Sequence, residues 1–78
     1  MIEVLVNLRE RTSGVCIGDP FNISAHSVPR KGEYISLPNF EDEHNSFVVD
    51  YVLYEENDGI LYPIIYAIAN PVGVVNDN

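Results

Sequence analysis

The sequence predicts an all-β fold, either a small antiparallel barrel of five or six strands or a strongly curled sheet. Three observations carry this expectation. Apolar residues recur with period 2 in the best-patterned segments, as in Ile2, Val4, Val6 and Leu8, the signature of a strand with one buried face. Turn signals punctuate the chain every 8–15 residues or so, a spacing typical of hairpin-rich folds. No segment holds a 3.6-residue period for more than one turn. At 78 residues the chain has room for one domain. Residues 1–75 are expected to form it, with 76–78 as a frayed tail.

Each element follows from local chemistry. Ile2 to Leu8 alternates as a strand, and Arg9 to Gly14 is polar and ends in a Ser-Gly turn signal. Val15-Cys16-Ile17 is a short apolar run closed by Gly18-Asp19-Pro20, with Cys16 expected in or beside the core. Phe21 to Val28 is ambiguous, being mostly small and polar. Pro29-Arg30-Lys31-Gly32 reads as a turn, because proline presets φ and glycine accepts a positive one. Tyr34 to Leu37 follows as a strand stopped by Pro38, and Asn39 to Asn45 is an acidic loop with room for at most one helical turn. In the next strand Phe47, Val49, Tyr51 and Leu53 alternate with Val48, Asp50, Val52 and Tyr54. The first set is expected on one face and the second, wetted by Asp50, on the other. Asp58-Gly59 between two apolar runs signals a two-residue type I′ hairpin. Ile60 to Ala69 is its return strand, with Pro63 marking an edge or bulge because it has no N–H to give a ladder. Val72 to Val75 is a candidate sixth strand. Tyr51, Tyr62 and Tyr66 are expected as core aromatics.

Charge narrows the function classes. Twelve acidic and four basic side chains give a net charge of −8. All four cations (Arg9, Arg11, Arg30, Lys31) lie in residues 1–32, whereas residues 33–78 carry nine acids and no Lys or Arg. Direct nucleic-acid binding is disfavoured, since the tyrosines lack the interleaved cations that a phosphate backbone requires. An anionic membrane surface is disfavoured on the same ground. With no basic-then-apolar leader, no apolar run of spanning length and a single cysteine, a reducing cytoplasm is expected.

The chemistry-bearing residues do not assemble a catalytic motif. Asp42 and His44 share a face of an extended segment, but no third ligand stands at metal-site spacing. Cys16 and His26 lack the neighbouring cation that would lower a thiol pKa. No glycine-rich phosphate loop or nucleophile elbow is present. The expectation is therefore no enzyme, no cofactor and no metal. What remains is a partner-binding surface built from Glu41, Asp42, Glu43, Asp50, Tyr54, Glu55, Glu56 and Asp58. Carboxylates there would meet a basic protein surface and Tyr54 would supply apolar contact.

Val28 to Leu37 (VPRKGEYISL), followed after a loop by Phe47 to Tyr54 (FVVDYVLY), resembles a pattern in small uncharacterised phage and bacterial proteins thought to form SH3-like barrels. The resemblance spans roughly residues 28–55 and implies a fold and a mobile-element setting, but no activity. It assigns Gly32 a backbone role in a turn, with Glu33 placed to pair with Arg30 or Lys31. Together these readings point to an acidic, non-enzymatic protein-binding module, with homo-oligomerisation open to it. The alternative is a nucleic-acid-mimicking inhibitor of a nucleic-acid-binding host or defence protein, comparable to an anti-CRISPR protein.

Overall fold

The computed structural model describes residues 1–38 and 46–69. These residues contain five strands and no helix. The strands are β1 (Ile2–Arg9), β2 (Phe21–Ala25), β3 (Tyr34–Ser36), β4 (Ser46–Asn57) and β5 (Ile60–Ala69). They form one strongly curled sheet, a half-barrel, in the order β2-β1-β5-β4-β3. The curl follows from the core itself. Phe47 and Ile65 are both 0% exposed, which a single flat sheet with no covering layer cannot achieve. The inner face carries Val4, Val6 and Leu8 of β1, Ile65, Ala67 and Ala69 of β5, and Phe47 and Val49 of β4. Ile17, Phe21, Val28, Ile35, Leu37 and Val52 close around them.

Of the two expected forms the described residues show the strongly curled sheet, with β2 and β3 as its edges among them. One expectation about connectivity is corrected: the strands are not all antiparallel, because β1 runs parallel to β5 from Leu5↔Ile64 to Arg9↔Ile68. The other three ladders are antiparallel. The parallel pairing sets β1 beside β5, the most apolar strand, at the centre of the sheet. There Ile65, Ala67 and Ala69 are buried on the inner face, while Tyr66 and Ile68 on the outer face are half-buried. Val15-Cys16-Ile17 does not make a strand. It folds back on β1 through a single bridge, Arg9↔Cys16, and an Ile17 N–H to Leu8 carbonyl bond of 2.8 Å. Cys16 is exposed rather than part of the core, because the apolar neighbour that turns inward is Ile17. The candidate strand Val72 to Val75, the helical turn within Phe40 to Asn45 and the 76–78 tail lie outside the described residues.

Strand β4 changes face midway. Its pairing with β5 runs Phe47↔Ala69, Val48↔Ile68 and Val49↔Ala67, then resumes at Tyr51↔Tyr66 with a bulge between. The extra residue inverts the alternation beyond it. Phe47 and Val49 share the inner face with Val52, while Tyr51 and Leu53 turn outward and are 42% and 46% exposed. The expected set of Phe47, Val49, Tyr51 and Leu53 on one face therefore holds only for its first half.

Candidate partner-binding surface

The β4–β5 hairpin is closed by the turn its sequence predicts. Asn57 pairs with Ile60, and the two loop residues have positive φ, 54° at Asp58 and 79° at Gly59, as a type I′ turn requires. The Gly59 N–H donates to Glu56 Oε2 at 2.6 Å, so Glu56 braces the turn.

This hairpin outruns the rest of the sheet. Pairing with β1 begins only at Ile64, and β3 pairs with β4 only as far as Val48. The four pairs from Tyr54↔Pro63 to Asn57↔Ile60 therefore form a two-stranded ribbon of roughly 13 Å, at 3.3–3.4 Å per residue. The projection accounts for an elongated molecule of 42 × 24 × 21 Å. Pro63 sits at the junction, where β5 has no β1 partner yet. Alternation away from the hydrogen-bonded Asn57/Ile60 pair makes Tyr54↔Pro63 a non-hydrogen-bonded pair, so the missing N–H leaves no ladder bond unmade.

The ribbon is apolar on both faces. Leu53 at its base and Tyr54, Ile60, Leu61 and Tyr62 along it are 46–61% exposed. At roughly 150–250 Å² per large side chain, the five residues present on the order of 250 Å² of mainly apolar surface on each of the two faces. Each patch is close in size to the largest one that an ordinary soluble monomer shows. The expected acidic residues sit among them. Glu55 pairs across from Tyr62 and Glu56 across from Leu61, on opposite faces, and Asp58 is in the turn. Asp50 stands apart at the bulge and is half-buried. The structure thus gathers Tyr54, Glu55, Glu56 and Asp58 on one projecting element and leaves Asp50 at its root. Glu41, Asp42 and Glu43 lie outside the described residues.

Below the ribbon the outer face is organised around Tyr66. Its ring stacks on Tyr51, with centroids 4.5 Å apart and planes 15° from parallel. The Arg9 guanidinium lies 5.2 Å from the Tyr66 centroid, within cation–π range. Arg9 Nε is buried and has no hydrogen-bond partner among the described residues, which leaves the ring as its electrostatic counterpart. Tyr51 and Tyr62 are thus surface residues and Tyr66 is half-buried, a correction to their expected place in the core. The bulge turns Tyr51 outward, and Tyr62 lies beyond the end of β1.

A groove of about 360 Å³ runs along the free side of β4, lined by Val28, Pro29, Arg30, Lys31, Tyr51, Val52 and Tyr54. The turn at its mouth is braced as tightly as the hairpin. The Glu33 N–H donates to the Arg30 carbonyl at 3.0 Å, and the Arg30 N–H donates to Glu33 Oε1 at 2.7 Å. Gly32 supplies the positive φ, 91°, and its N–H donates to the Val49 carbonyl at 2.9 Å. Glu33 is therefore bound to the backbone of Arg30, and both cationic residues are exposed.

No known protein family, characterised protein or solved structure matches the chain. Among the described residues no three His, Cys, Asp or Glu side chains converge as a metal site. No helix among them is long and apolar enough to cross a membrane. Sequence reasoning missed Leu53, Ile60, Leu61 and Tyr62 as surface residues. The available signal was Pro63: a proline well inside a long apolar strand marks where a neighbouring strand stops.

Proposed function

We propose that this chain is a non-enzymatic module that binds another protein through its β4–β5 ribbon. The observation that carries the reading is the ribbon's projection beyond the sheet with Leu53, Tyr54, Ile60, Leu61 and Tyr62 about half exposed. The largest apolar patch on a small monomer is often functional, here it sits on a projecting element, and tyrosines are preferred anchors. Glu55 and Asp58 at its margin select a partner whose apolar cleft has a basic rim. A cytoplasmic setting belongs to the same reading, since Cys16 is an exposed lone thiol and such thiols stay reduced there. So does the phage or mobile-element origin implied by the Val28–Tyr54 resemblance. Nucleic-acid mimicry is the weaker reading, because it needs carboxylates in a row on one face. Glu55 and Glu56 fall on opposite faces, and Glu56 is engaged by the turn.

The test is capture of partners from host lysate by the intact chain and by a Leu61→Ser/Tyr62→Ser variant, at low and high salt. The variant is expected to stay folded and to lose the specific partner, with wild-type capture persisting at high salt. Capture that survives the substitutions, or that vanishes with salt alone, defeats the ribbon as the binding element.

A further inference from the structure

The outer edge of β4 carries an observation independent of the ribbon's apolar faces. After Val49 the turn and strand β3 leave this edge, and no described strand covers it from Asp50 to Asn57. Antiparallel alternation turns the N–H and C=O groups of Val52, Tyr54 and Glu56 outward. Natural edges are usually blunted by lysine or proline, by shortness or by bulges along their length. This one has neither residue in β4, and its bulge lies at the base. Charge is graded along it. Arg30 and Lys31 stand beside the base, lining the groove with Tyr51, Val52 and Tyr54 and outnumbering the half-buried Asp50 there, and Glu55, Glu56 and Asp58 stand exposed at the tip.

We propose that two copies of this chain pair edge to edge through β4, antiparallel about a twofold axis near Tyr54. In that arrangement the acidic tip of each copy lies beside the Arg30–Lys31 turn of the other. The complementary contact is made twice, and the groove takes up side chains of the incoming strand. A parallel alignment would set acid against acid. The antiparallel interface is isologous, so it closes at two copies instead of propagating. It unites the two half-barrels into one continuous sheet and leaves Ile60 to Tyr62, on the β5 side of each ribbon, uncovered. The dimer uses Tyr54, Glu55 and Asp58, which the ribbon's other partner would also meet. Leu61 and Tyr62 lie outside it, however, and Arg30 and Lys31 lie outside the partner surface, so the failure of one contact is distinguishable from failure of the other.

Sedimentation velocity of the intact chain, from low micromolar to near-millimolar concentration, tests this. The expected result is a species of twice the 8.8 kDa protomer mass. Arg30→Glu/Lys31→Glu should weaken it at least tenfold by setting like charges together. Adding Glu55→Lys and Asp58→Lys to that variant should restore it. Tyr54→Pro, which removes one outward N–H at an edge position, should weaken it as well, with circular dichroism confirming the fold. A chain that stays monomeric over the whole range overturns the proposal. So does a dimer unmoved by charge reversal, or a monomer that instead takes up a synthetic acidic peptide of residues 50–57.

Discussion

Asp58 and Gly59 show how much a single φ angle decides. Both lie in the left-handed region, which an L-residue with a Cβ enters at a cost of roughly 1–2 kcal/mol. A Cβ at Gly59 would meet nothing within 4 Å, so the cost of replacing it resides in the backbone alone. Gly59→Ala is expected to lower unfolding free energy by about 1 kcal/mol. Asp58→Asn should be neutral or slightly stabilising, because asparagine suits the first position of a type I′ turn. Urea denaturation of the two variants checks both signs. This turn was fully legible in the sequence because its chemistry is local: two adjacent residues hold all the information. Cys16 was not. Whether it or Ile17 turns inward depends on the bridge to Arg9, made by residues seven positions apart.

At the scale of an element, β4 is two half-strands of opposite facing joined at Asp50. Its sequence is apolar on both faces, so alternation alone gave two acceptable registers. The one local clue was a carboxylate inside an otherwise apolar run. Deleting Asp50 would remove the extra residue and leave a regular ladder in which Tyr51 and Leu53 still face outward and Val52 inward. The expected outcome is retained cooperative unfolding and retained Tyr51–Tyr66 stacking in the near-ultraviolet circular dichroism. Loss of the stacking signal would overturn the assignment of Asp50 as the bulged residue. Substituting Asp50→Ser, which keeps the extra residue, should leave both intact. The candidate acidic residues divide along the same line. Those beyond the bulge ride on the ribbon, and Asp50 marks its hinge point in the sheet.

Across the whole molecule, support is uneven. Ile65, Ala67 and Ala69 are inner-face residues of a strand flanked by β1 and β4, whereas the pairs beyond Tyr54↔Pro63 have no third strand. Native-state hydrogen exchange should therefore grade along the hairpin. Amides of Ile65 to Ala67 are expected to exchange only through global unfolding, and those of Glu55 to Tyr62 through local opening at lower free energy. Uniform protection along β5 would contradict this picture. The all-β class was readable from alternation and turns, but the parallel β1–β5 ladder was not. It joins segments nearly sixty residues apart, and no turn chemistry announces such a neighbour. That ladder also sets the order in which the chain can acquire its shape. The strand made first waits for one of the last to be made, because the central position of the sheet between β1 and β4 belongs to β5. During synthesis Val4 and Val6 can meet β2 early, but they and Leu8 remain without their β5 neighbours until that strand clears the ribosome. Until then the growing chain has hairpins to form but no centre to assemble around.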